Sequence, residues 1–185
     1  MIACLPDISD NGPAEHLTVS LAVDECAAMT PAPELDVTQW FNAAAPLTLR
    51  ELRGRVVVLH AFQMLCPGCV QGGIPQAQHI ANIFSPDKVV VIGLHTVFEH
   101  HAAMTPVALE AFLHEYRIDF PVAVDRPGEG TPIPKTMAAY GMTGTPSLVL
   151  IDRAGNIRKH TLGAEDDLRV GADIALLTAE PWPAA

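Results

Sequence analysis

The chain has 185 residues, 49% hydrophobic and 17% charged, a balance that supports one buried core and argues against wholesale disorder. Its formal net charge of -10 disfavours nucleic acid or an anionic membrane as partner. No run of about 18 apolar residues is present, so no membrane-spanning helix is expected.

Residues 1–35 read as an N-terminal extension. They carry Pro6, Pro13, Pro31 and Pro33 and many acids, and no Lys or Arg precedes Arg50. Leu17-Thr-Val-Ser-Leu-Ala-Val23 alternates apolar and polar and predicts a strand, with the extension packed on the domain as a hairpin. Cys4 and Cys26 fall here, outside any motif, and read as two free thiols or as one disulfide. The start Met-Ile-Ala-Cys-Leu-Pro-Asp has neither a basic beginning nor a continuous apolar stretch, so a cytoplasmic, reducing location is expected.

The domain is expected over 36–180. Asp36 predicts the N-cap of a short helix anchored by Trp40 and Phe41. Leu47–Gly54 leads into a strand over 56–62. Residues 70–84 read as a helix that Pro75, inside it, kinks. Lys88–His95 is apolar on both faces, as in a central parallel strand. Thr105 caps a helix running to Tyr116, with Pro106 in its first turn. Phe120–Asp125 predicts a shorter strand and 133–140 a short helix ending at Gly141. Ser147–Asp152 and Ile157–Leu162 flank Arg153-Ala-Gly-Asn156 as a hairpin, and 165–179 closes the chain as a helix. Strands alternating with helices, then a hairpin, give an α/β fold with a central mixed sheet.

Cys66-Pro-Gly-Cys69 ends the first of these strands and opens a helix. Two thiols at this spacing close a small disulfide ring or hold a metal. At a helix start the first thiol meets outward N–H groups, which favour a thiolate. A Cys-x-x-Cys beside a βαβ pattern reads as a redox site.

With Trp40-Phe-Asn42, Leu47–Val58, Val91-Ile-Gly-Leu-His95 and Tyr140-Gly-Met-Thr-Gly-Thr-Pro146–Gly155, this motif resembles the thioredoxin-like superfamily. The branch is the redoxin-type group of bacterial thiol-disulfide oxidoreductases of cytochrome maturation and their cytoplasmic relatives. The resemblance runs from about Trp40 to about residue 178. It implies a thioredoxin-like fold and a thiol-disulfide oxidoreductase. Cys66 would attack a substrate disulfide and Cys69 would resolve the adduct. A cis Pro146 would face the pair, leaving the backbone of Thr145 free for an extended substrate. The implied partners are a disulfide-containing protein or small thiol and a reducing partner, with no cofactor. His60 stands where relatives often bury an acid, and Leu65 where they usually place Trp. His60 reads either as a proton acceptor for Cys69 or as a neutral packing side chain. Phe98-Glu99 resembles a pair near the site in relatives, while general exposure favours a solvated loop acid at Glu99.

Two alternatives use the same thiols. A peroxiredoxin-like peroxide reductase would need a positioned Pro and hydroxyl ahead of Cys66, and Ala61–Leu65 supplies neither. A copper or zinc site would join Cys66 and Cys69 to His95 or to His100 and His101.

Overall fold

The computed structural model describes residues 30–182. The predicted strand over Leu17–Val23, and both Cys4 and Cys26, lie outside them. Seven strands form one mixed sheet: β1 (Thr30–Pro31), β2 (Val37–Phe41), β3 (Val56–Phe62), β4 (Val89–His95), β5 (Val122–Asp125), β6 (Ser147–Ile151) and β7 (Asn156–Leu162). Their order across the sheet is β1-β7-β6-β3-β4-β5-β2. β3, β4 and β5 run parallel, and β6, β7, β1 and β2 each pair antiparallel with a neighbour. The expected mixed α/β sheet is present.

Four helices cover it: α1 (Ile74–Ile83), α2 (Pro106–Glu115), α3 (Lys135–Ala139) and α4 (Asp167–Ala179). β3 is buried along its whole length, which explains its unbroken apolar run. Val56, Val58 and Phe62 face the core shared with Ile74 of α1, Leu109 of α2 and Ile174 of α4. Val57 and Leu59 face the other core, with Leu49, Leu52 and Met137 of α3. The period of two along β3 thus splits one apolar segment between two layers.

The short helix predicted from Asp36 is not there. Val37–Phe41 is instead β2, antiparallel to β5. The segment is rich in β-branched and aromatic residues, and β5 needs a partner on its outer edge. Asp36 does not cap a helix: its carboxylate accepts from Arg126 Nε at 2.5 Å. Helix starts elsewhere follow the sequence more closely. Thr105 Oγ1 accepts from Ala108 N at the head of α2, and Asp166 accepts from Leu168 N and Arg169 N at the head of α4. The turn between β6 and β7 closes when Asp152 Oδ1 accepts from Asn156 N at 2.8 Å. Gly155 there has φ +86°, and Arg53 fills the space a side chain would need. None of the described helices is long and apolar enough to cross a membrane.

Candidate active site

The carboxyl end of β3 delivers Gln63-Met64-Leu65-Cys66 to the edge of the sheet. β6 runs antiparallel to β3, with Ser147 opposite Ala61. That register brings the start of β6 to the finish of β3, so Thr145 and Pro146 meet a cysteine 79 residues earlier in the chain. The Thr145–Pro146 bond is cis.

Cys66 and Cys69 are both free thiols; Cys66 is half-buried and Cys69 buried. Cys66 Sγ donates to the Thr145 carbonyl at 3.4 Å and accepts from the Cys69 N–H at 3.3 Å. The helix does not start as an α-helix. Cys69–Gly73 is wound as a π-helix, and α winding begins at Ile74, with Pro75 in its first turn. Pro75, expected inside the helix as a kink, sits instead in the first turn of α1, where its missing N–H has no intrahelical partner to lose; π turns like Cys69–Gly73 recur at functional sites.

The two thiols differ in environment. Burial pushes the Cys69 thiol up to about 12, and the neighbouring Cys66 adds to this; the Gln63 backbone and the Thr145 side chain pull it back. At neutral pH Cys69 therefore keeps its proton.

His60 lies on the same face of β3, 2% exposed. Burial lowers it from 6.5 to about 4, against a smaller opposing pull from its own backbone, so the ring is neutral at pH 7. A thiol near 12 does not hand its proton to an imidazole near 4. In the reduced pair the visible contribution of His60 is steric. A Cβ built on Gly73 would sit 2.4 Å from His60 Cε1 and 3.1 Å from Pro146 Cβ, and one on Gly68 would sit 3.4 Å from Pro146 Cδ. The imidazole, the glycine-lined helix start and Pro146 are thus packed without spare room. Gly73→Ala is expected to cost roughly 1–3 kcal/mol, the usual cost of overpacking. Urea unfolding measures it, and an unchanged midpoint contradicts this packing.

The candidate metal set does not assemble. Among the described residues no three His, Cys, Asp or Glu side chains converge as metal ligands. His95 is 1% exposed and tilts against Phe62 at 5.4 Å between ring centroids. Neither of its ring nitrogens has a hydrogen-bond partner among the described residues, and burial lowers it to about 4. His100, His101 and Glu99 are exposed in the loop after β4, while Phe98 packs on the Met137 core. A concavity of about 810 Å³ is lined by Trp40, Asn42 and Leu113 among others. It contains none of the thiol-site residues, and disulfide exchange with a polymer needs no enclosed pocket.

Sequence reasoning passed over three contributors. Gly73 carried no signal, because its role depends on His60 across space. Gln63 acts through its backbone. Asp125, buried at the end of β5, accepts from Thr96 Oγ1, Thr136 N and Met137 N. It thereby caps α3, and burial raises its carboxyl above the ordinary 3.8.

A cysteine pair at the carboxyl end of a central parallel strand, facing a cis proline that opens the neighbouring antiparallel strand, defines a thioredoxin-like protein. One solved thioredoxin-like superfamily protein is 62% identical over 84% of this chain and 100% of its own, with TM-score 0.82. A redoxin family model matches residues 27–174, and the chain belongs to that family. A thiol-disulfide isomerase from Corynebacterium glutamicum is 51% identical, covering 82% of this chain and 98% of its own, with TM-score 0.79. Thiol-disulfide oxidoreductase ResA of Bacillus thuringiensis is 26% identical over 119 residues, which is 64% of this chain and 61% of that protein. Protein DipZ of Mycobacterium bovis is 28% identical over 138 residues, 73% of this chain and 19% of that protein. The chain thus spans about three fifths of ResA and about a fifth of DipZ.

Proposed function

We propose that this protein is a thiol-disulfide oxidoreductase whose reactive groups are Cys66 and Cys69. The observation that carries the reading is the half-exposed Cys66 Sγ held between the Cys69 N–H and the Thr145 carbonyl. Relatives named for thiol-disulfide chemistry support it.

The Cys66 thiolate attacks one sulfur of a substrate disulfide. The S–S bond breaks, the other sulfur leaves as a thiolate and takes up a proton, and Cys66 becomes a mixed disulfide beside Thr145 and Pro146. The Cys66 thiol is one of the causes that hold Cys69 near 12. Consuming it in the adduct removes that cause. Burial then stands against the Gln63 backbone and the Thr145 side chain without that addition, so the first step eases loss of the Cys69 proton to solvent. The Cys69 thiolate attacks Cys66 Sγ, and the second substrate thiol departs with a proton. The substrate has gained two electrons and two protons, and the protein holds a Cys66–Cys69 disulfide. A dithiol partner restores the pair. His60 fixes the spacing between helix start and Pro146.

The test is turnover of a protein disulfide with dithiothreitol as reductant. The expected result is acceleration well above dithiothreitol alone. No acceleration overturns the reading.

A further inference from the structure

Gly72 and Gly73 stand together in the π turn that follows the thiols, and they differ in what they touch. Glycine inside a helix is destabilising relative to alanine, so a close approach is the reason to look for. A Cβ built on Gly72 would meet Ala164 Cβ at 3.9 Å, an ordinary contact. One built on Gly73 would lie 2.5 Å from His60 Nε2 and 3.1 Å from Pro146 Cβ. Gly73 is thus where the helix start bears on the sheet, and the His60 ring is the surface it bears on. That ring stands on a fixed support. His60 is 2% exposed and is paired with Gly93 of β4 on one side and Leu148 of β6 on the other.

The other end of the same turn reaches the reactive sulfur. Ile74 N donates to the Cys69 carbonyl across five residues; α winding would bring Gly73 N to that carbonyl instead. Cys69 opens the turn, and its own N–H donates to Cys66 Sγ at 3.3 Å. One short turn therefore links the place where His60 presses, at Gly73, to the donor that faces Cys66.

Resting on the exchange reading above, we propose that His60 is a positioning residue for Cys66: its ring, seated on Gly73, holds the π turn in place and keeps the Cys69 N–H aimed at Cys66 Sγ. The ring acts by contact and carries no proton in the exchange. An N–H aimed at the sulfur stabilises the thiolate, and so favours the dithiol over the disulfide. A turn that shifts loses part of this bond, and the pair moves towards the disulfide.

The experiment equilibrates the full chain with reduced and oxidised dithiothreitol and reads the constant between dithiol and Cys66–Cys69 disulfide, with a thermal melt of each variant. Gly73→Ala is expected to favour the disulfide by roughly tenfold, about 30 mV for a two-electron couple. His60→Ala leaves the turn unsupported and shifts the constant the same way. His60→Leu, close in volume and unable to titrate, keeps the native constant, as does Gly72→Ala. In the double variant His60→Ala, Gly73→Ala the new methyl enters the space the ring has left, and the constant returns towards native, so the two changes are non-additive. A Gly73→Ala chain that fails to fold while the double variant folds supports the same contact. Native constants in both Gly73→Ala and His60→Ala, additive shifts in the double variant, or a His60→Leu shift as large as that of His60→Ala overturn the proposal and leave the exchange reading standing, because the native pair still cycles. A native chain in which Cys66 and Cys69 form no disulfide overturns the exchange reading and the proposal with it.

Discussion

Cys66→Ser abolishes disulfide turnover, with an expected loss of more than about 10³-fold, the scale on which removal of a covalent nucleophile acts. Cys69→Ser behaves differently. Its Cys66 still attacks, but no second thiol releases the adduct, so one equivalent of substrate stays bound through a disulfide that mass spectrometry locates at Cys66. The difference follows from exposure: Cys66 is half-buried and Cys69 is buried behind it. A Cys66→Ser protein with unchanged turnover, or an adduct found at Cys69, contradicts this division of labour. Stability is expected to stay near that of the native chain in Cys66→Ser, because the side chains are close in size and the thiol's contacts to Thr145 and Cys69 are long.

The second large effect is on stability against pH. His60 and His95 are both lowered from 6.5 to about 4 by burial. Between those values the unfolded chain binds two protons that the folded chain refuses. Stability is therefore fully present above pH 6.5 and is lost as pH falls towards 4. At pH 5 each histidine costs about 2 kcal/mol relative to pH 7.5, together a large share of an ordinary folding free energy. Asp125 acts with the opposite sign from 3.8 upwards, since burial raises it. Comparing a variant with the native chain cancels that contribution. His95→Leu removes a buried ring whose two nitrogens lack partners among the described residues. It is expected to be at least as stable as the native chain at pH 7.5 and about 2 kcal/mol more stable, relative to it, at pH 5. Chemical denaturation at the two pH values checks this. Parallel behaviour of the two proteins at both values contradicts a buried neutral His95.

Most of the core strands were legible because burial on both faces leaves an unbroken apolar run, as in Val56–Phe62 and Val89–His95. The dithiol was legible because the motif sits at a change of period, from strand to helix. What escaped were features set by partners distant in sequence. Val37–Phe41 carries a plausible cap at Asp36, but the free edge of β5 decides its conformation. The π winding at Cys69–Gly73 has no local signature beyond Pro75. His60 was visible as a residue, yet its surroundings were not: the space at Gly73, and Pro146 beyond it, come from three separate elements. His95 read as one candidate ligand, His100 and His101 as another, but the strand position of His95 turns it into the core next to Phe62, away from the loop.

The central claim, that Cys66 and Cys69 work as one two-electron pair, is tested most directly by equilibrating the protein across dithiothreitol buffers of graded potential and mapping the cysteines by peptide mass. The account predicts a single transition with a slope of about 30 mV per tenfold ratio, ending in one disulfide between Cys66 and Cys69. Cys66 and Cys69 found reduced throughout, or oxidised separately from each other, would contradict it.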